Sequence, residues 1–159
     1  MITFYERSGF DYPSDALGKA GAPTLESFVQ MYIEEGEAEG IRSDVAFAQA
    51  MLETGYLQYG GDVKIEQFNF AGIGAVGGGA SGASFTDVRT GIRAHIQHLK
   101  AYANSESLKN ECVDPRFSYV RRGSSPYVEW LGIKENPAGN GWATAKNYGF
   151  TIATMLDNM

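Results

Sequence analysis

The sequence predicts a mainly α domain carrying one irregular, glycine-rich lobe, and three observations lead there. Apolar residues recur at helical spacing in at least three segments. Eight glycines crowd the stretch from Gly60 to Gly82, which no helix would tolerate. The 159 residues, 43% of them apolar and 20% charged, match one soluble globular domain able to bury its own core.

Residues 1–23 contain Gly, Pro, Ser and Asp at short intervals and no sustained period, and read as an irregular N-terminal arm. The domain proper is expected over 24–159. Thr24 is a good N-cap; Leu25, Phe28, Val29, Tyr32 and Ile33 form one stripe behind it, and Gly40 is the stop. The acidic run Glu34, Glu35, Glu37 and Glu39 reads as a solvated face. Ser43 is expected to cap a second helix, whose Val45, Ala46, Phe47, Ala48, Ala50, Met51 and Leu52 make it apolar nearly all round. A helix of that kind lies in a core, and Gly55 supplies its end. Residues 59–86 read as loop or short hairpin. Asp87 is expected to cap a third helix bearing Ile92, Ile96, Leu99 and Ala103. Ser125-Pro126 opens a short helix to Leu131, and the last helix is expected from about Ala143 to Leu156.

Composition excludes several classes. The single cysteine, Cys112, rules out an internal disulfide framework and thiolate-rich zinc sites, and reads as a small buried hydrophobe. The net charge of −6, with Lys and Arg scattered, gives no basic face for nucleic acid. No window has the length of a membrane span. The N-terminus has no basic segment followed by an apolar one, so a signal peptide is not expected within this chain. Gly77-Gly78-Gly79 lacks the Lys-Ser/Thr of a phosphate loop, and His95 and His98 lack the spacing of the two-histidine zinc helix. No metal and no organic cofactor is expected.

Glu53 is the most informative position. It follows an apolar run in a helix expected to be buried, where an unpaired carboxylate is costly. It also sits in the last turn, where the helix dipole presents partial negative charge. Both effects raise its pKa, as a general acid requires. The residues leave a second reading open, in which Glu53 pairs with Arg42 or Arg93 or points to solvent.

The stretch A-Q-A-M-L-E-T-G-Y at 48–56, followed by N-F-A-G-I at 69–73, resembles glycoside hydrolase family 73, the peptidoglycan endo-β-N-acetylglucosaminidases of autolysins and phage endolysins. W-A-T-A-K-N-Y at 142–148 matches a third family element in part, and the similarity spans about residues 25–157. It implies a lysozyme-like helical domain with a small β-lobe and a groove between them. It implies Glu53 as general acid, with Gln49, Tyr56, Asn69, Phe70, Gly72, Trp142 and Tyr148 contacting the glycan. Many members carry a second acid on the β-lobe, but here residues 75–84 contain none. The substitutes are Asp62, Glu66 and Asp87; Asp87 is better explained as a cap, and Asp62 equally as a turn residue. The substrate's own 2-acetamido group could replace such an acid. Of Arg116, Arg121 and Arg122, any could read stem-peptide carboxylates or hold the loop by salt bridges.

The implied partner is a peptidoglycan strand cut after N-acetylglucosamine by a monomer acting outside the cell or in the wall. The chain would then be a domain of a larger secreted protein or a lysin released by phage. A muramidase, a lytic transglycosylase or a non-catalytic wall-binding module are the alternatives, since a scaffold does not fix the bond cleaved.

Overall fold

The computed structural model describes residues 1–159 and contains six α-helices: α1 (Ile2–Glu6), α2 (Ser14–Gly18), α3 (Leu25–Glu39), α4 (Ser43–Thr54), α5 (Val88–Ala103) and α6 (Tyr148–Asp157). Short 3₁₀ turns lie at Ile65–Gln67, Phe117–Tyr119 and Val128–Leu131. Helix α4 is the centre, packed between α3, α5 and α6. Its all-round apolar surface explains that position, with Val45 through Ala48, Ala50 and Met51 all buried. Around it Phe28 meets Phe70 at 5.0 Å between ring centroids, and Tyr32 meets Phe47 at 5.9 Å.

Local signals set the helix ends. Thr24 and Ser27 exchange side-chain and backbone hydrogen bonds at the start of α3. Gly40 and Gly55 close α3 and α4 in the left-handed conformation, at φ +68° and +56°. Asp87 Oδ1 accepts from Thr90 N–H at 2.7 Å and caps α5. The cap of α4 differs from expectation. Ser43 is its first helical residue, Arg42 occupies the cap position, and Asp44 pairs with Arg42 while accepting from Val45 N–H.

Other expectations need correction. The glycine-rich lobe contains no strand; the chain's one isolated bridge joins Gly132 and Ala143. Gly72, Gly74, Gly77, Gly78, Gly79 and Gly82 all have positive φ, which breaks any ladder. Two separate backbone bonds, Ala83 N to Ile73 O and Phe85 N to Gln67 O, each 2.8 Å, tie the lobe instead. The last helix begins at Tyr148 rather than Ala143 because 142–143 are bonded to Leu131 and Asn147 is left-handed at φ +59°. The turn after Pro126 is 3₁₀ and starts at Val128. The N-terminal arm forms α1 and α2, which bury Phe4, Tyr5 and Leu17. Cys112 is exposed.

The acidic run is not simply solvated. Glu35 and Glu39 are buried, one helical turn apart, facing α5. Arg93 binds Glu35 at 2.8 and 3.0 Å and Arg89 reaches it at 3.2 Å. Lys100 Nζ lies 2.9 Å from Glu39, and both side chains are fully buried. Backbone N–H groups of Lys109 and Asn110 also donate to Glu39. Burial would raise the Glu39 pKa, but these hydrogen bonds and the ammonium outweigh it and hold the carboxyl below its ordinary value. Such a group stabilises the fold above the unfolded-state carboxylate pKa, and the contribution disappears as pH falls through the lower folded value. Denaturant midpoints should therefore drop between about pH 6 and pH 3, and the drop should be smaller in Glu39→Gln.

Gly91 fixes how α5 meets the loop that follows α4. A Cβ there would lie 1.8 Å from the Phe68 carbonyl oxygen, so only glycine permits this approach. The contact brings residues 68–73 over the end of α4.

Candidate active site

The candidate site is built where α4 ends. Thr54 Oγ1 donates to Ala50 O at 2.7 Å and accepts from Leu57 N–H at 2.9 Å, fastening the chain as it leaves the helix. Tyr56, Leu57 and Tyr59 follow in the left-handed region at φ +57°, +63° and +57°. Non-glycine residues pay for that conformation, roughly 1–2 kcal/mol each, and such strain gathers at functional sites. Asn69 then shapes the next loop. Its Nδ2 donates to Ile73 O and Ala83 O at 2.9 and 3.1 Å, while its Oδ1 accepts from Ile73 N–H and Ala71 N–H at 3.0 and 3.4 Å. The buried amide is thereby fully used, and it sets the loop rather than offering groups to a ligand.

Gly72, at φ +64°, lies on that loop beside the acid; a Cβ there would be 3.7 Å from Glu53 Oε2. Glu53 itself is open to solvent along the groove, which corrects the expectation of a buried side chain. Protein surrounds it closely enough that desolvation raises its pKa, with the Tyr148 hydrogen bond partly opposing the rise. Neither suggested arginine reaches it: Arg42 is paired with Asp44, and Arg93 with Glu35.

A continuous chain of hydrogen bonds runs from the core to this acid. The Tyr148 hydroxyl donates to Glu53 Oε1. Gln49 Nε2 donates to the Tyr148 oxygen at 3.0 Å. That leaves Gln49 Oε1 as acceptor, 2.9 Å from His95 Nε2. His95 must then carry its proton on Nε2, so its Nδ1 accepts from the Tyr32 hydroxyl at 2.9 Å. Burial pushes the His95 pKa down to about 3, with His98 adding to the effect, so the ring is neutral. Burial, and secondarily the Glu53 charge, pushes Tyr148 well above the ordinary tyrosine value, so it remains a hydroxyl. The arrangement leaves Oε1 of Glu53 occupied and Oε2 facing Gly72 and the groove.

Two cavities flank Gly72. One, of about 280 Å³, is lined by Glu53, Tyr59, Asp62 and Asn69. The other, of about 220 Å³, is lined by His98, Tyr102, Arg116, Tyr119 and Trp142. Gly72 and Ala75 line both, so the two cavities adjoin across this loop and flank it as neighbouring parts of the groove.

The expected site residues divide accordingly. Glu53, Asn69 and Gly72 line one cavity and Gly72 and Trp142 the other, with Tyr148 buried against Glu53 and Gln49 behind Tyr148. Phe70 is wholly buried against Phe28, so it is core and not groove wall. Tyr56 packs among Phe4, Tyr5 and Phe10. Of the three acids, Asp62 shares the Glu53 cavity and its Oδ2 accepts from Gly79 N–H at 3.2 Å. Glu66 is exposed on the 3₁₀ turn, and Asp87 is engaged as the α5 cap. Sequence reasoning missed Tyr59, Tyr32 and His95. The available signal for His95 was its place three residues after Ile92 on the apolar stripe of α5.

A raised-pKa carboxylic acid with one oxygen held and the other aimed into an open, aromatic-lined groove is the equipment of a glycoside hydrolase. The chain belongs to the glucosaminidase family, described as mannosyl-glycoprotein endo-β-N-acetylglucosaminidase, whose model matches residues 29–159. It is also 47% identical over 132 residues to a protein of Borreliella burgdorferi (strain ATCC 35210 / DSM 4680 / CIP 102532 / B31) named only as uncharacterized. That match covers 83% of this chain and 61% of the relative, so the chain spans about three fifths of the relative's length. No solved structure matches the chain.

Proposed function

We propose that this protein hydrolyses the β-1,4 bond after N-acetylglucosamine in peptidoglycan, outside the cell or in the wall, with Glu53 as general acid. The observation that carries the reading is the Glu53–Tyr148 pair, because it leaves one oxygen of a raised-pKa acid free at the groove. The mainly helical architecture is consistent with a lysozyme-like scaffold, and the family supplies the endo-β-N-acetylglucosaminidase class. Glu53 gives its proton to the leaving glycosidic oxygen. The carbonyl oxygen of the substrate's 2-acetamido group attacks C1 as that bond breaks, giving a cyclic oxazolinium. Water then adds at C1 and breaks the C1–O bond of the oxazolinium, losing its proton to the Glu53 carboxylate, so the acetamido group and the acid are regenerated with net retention.

Asp62 favours this route over a dedicated carboxylate nucleophile. It is exposed and tied only to Gly79 N–H of the glycine run, so nothing locks its carboxylate at a reacting carbon. Asp62→Asn should keep the fold and lower kcat by less than about tenfold, the loss of one orienting hydrogen bond. A fall beyond about a hundredfold would make Asp62 the base or nucleophile instead.

The identity of the bond is tested by digesting purified peptidoglycan, reducing the products with borohydride and analysing them by mass spectrometry. Reduced N-acetylglucosamine at the new ends is expected. Reduced muramic acid would indicate a muramidase, 1,6-anhydromuramic acid a lytic transglycosylase, and no soluble product a binding module.

A further inference from the structure

The groove is electrically asymmetric: Glu53 and Asp62 line one cavity, and Arg116 is the cation lining the other. Arg116 has no protein counter-ion. The nearby carboxylate, Asp114, is buried and already committed, Oδ2 to His98 Nδ1 at 2.7 Å and Oδ1 to the Arg116 backbone N–H at 2.8 Å. The Arg116 guanidinium lies instead over the Tyr119 ring, 4.2 Å from its centroid, and makes no side-chain hydrogen bond. Tyr119 is 73% exposed, so its ring and the guanidinium over it are open to solvent at the cavity rim. The neighbouring arginine behaves differently. Arg122 donates to Asn104 O and Glu106 O at 3.2 and 2.7 Å and holds the loop.

The pocket floor next to Arg116 suits a sugar. Trp142 stands edge-on to His98 with ring centroids 4.7 Å apart, and Tyr102 lies 5.5 Å from Trp142. These contacts fix the indole at the cavity wall, where a pyranose can lie against it. A stacked guanidinium keeps its planar fork of donors free at the ring edge, the geometry that binds a carboxylate through paired hydrogen bonds.

We propose that the cavity formed by Trp142, Tyr102, His98, Tyr119 and Arg116 is a subsite for an amino sugar bearing a carboxylate-containing substituent, with Arg116 binding that carboxylate. The inference rests on the glycan-cleaving reading for its substrate class and extends it to one residue's chemistry. In a peptidoglycan strand the carboxylate comes from the stem peptide, or from the lactyl group where the peptide has been removed. Arg116 is the reader of the substituent; Glu53, across Gly72, acts on the backbone bond.

The test uses the Glu53→Gln protein, so binding is read without turnover, alone and combined with Arg116→Gln or Arg116→Lys. Dissociation constants are measured for solubilised strands in three forms: with stem peptides, stripped of them by an amidase, and with all carboxylates amidated by carbodiimide and ammonia. The parent should prefer the anionic strands to the amidated ones by about tenfold or more, as one charge-assisted pair gives. Arg116→Gln should bring that ratio to about one, and Arg116→Lys should recover part of it, because lysine keeps the charge without the fork. Collapse on the stripped strands alone assigns the lactyl carboxylate, and collapse on the peptide-bearing ones alone assigns the stem. A ratio unchanged in Arg116→Gln, with unfolding midpoints equal to the parent's, overturns the inference. If the wild-type protein releases no products yet the Arg116-dependent preference persists, the subsite stands and the hydrolase reading falls.

Discussion

Glu53→Gln is expected to keep the fold and to lower the rate of peptidoglycan solubilisation by roughly 10²–10⁴-fold, the contribution of a positioned general acid. The substitution is close to isosteric. The introduced amide can still accept the Tyr148 hydroxyl with its oxygen, while its NH₂ group would face Gly72 where Oε2 stood. Nothing in the core depends on the lost charge, because no arginine or lysine pairs with Glu53. Circular dichroism and the denaturant midpoint should therefore match wild type. The pH dependence gives an independent check on the same residue. As the proposed general acid Glu53 must start protonated, so kcat/KM should fall as pH rises through its pKa. Desolvation raises that pKa, so the basic limb should lie above the ordinary carboxylate range rather than within it. A Glu53→Gln protein that still clears cell walls would remove Glu53 from the mechanism.

The place of Glu53 at the end of α4 was legible because its signal is local. An apolar helix ending E-T-G places the acid in the last turn whatever the rest of the chain does, and the caps at Thr24 and Asp87 are equally local. Its exposure was left open between burial and solvent, because the cavity beside it is completed by Asn69, Gly72, Ala75 and Gly77, 16 to 24 positions further along the chain. Glu35 and Glu39 show the same limit. As sequence they are members of an acidic run; their partners Arg89, Arg93 and Lys100 lie 54–61 positions away on α5. The facing i, i+4 pairs become visible only when α3 and α5 are docked. The strand expectation for the lobe came from the hairpin reading of 59–86 and from family likeness, and the glycines override it locally, with Gly72, Gly74, Gly77, Gly78, Gly79 and Gly82 each adopting a φ that no ladder accepts. Tyr56, assigned to the glycan, was captured instead by aromatic residues of an arm that showed no periodicity of its own.

Breaking the hydrogen-bonded chain behind Glu53 is expected to cost kcat about 10–100-fold with KM nearly unchanged, the worth of a hydrogen bond to a charged group. In the order Tyr32, His95, Gln49, Tyr148, Glu53 every member donates to the next, so the Tyr148 hydrogen is committed to Oε1. A proton on Glu53 must then reside on Oε2, the oxygen turned toward Gly72. Reversing the Glu53–Tyr148 bond would require the Gln49 amide to flip and His95 to change tautomer together, which couples the acid to two wholly buried residues. Tyr148→Phe removes the link at the acid. The carboxylate then loses its only stabilising hydrogen bond, so the basic limb of the pH profile should move upward as kcat drops. Gln49→Met, similar in volume and without hydrogen-bonding groups, leaves Tyr148 free to rotate and should give a smaller fall in kcat and a smaller movement of the limb in the same direction. A purely structural contribution would lower the unfolding midpoint of both variants while the pH limb stayed where it is in wild type. Gln49 and His95 act in this account as positioning residues, and the displacement of the limb separates that role from packing.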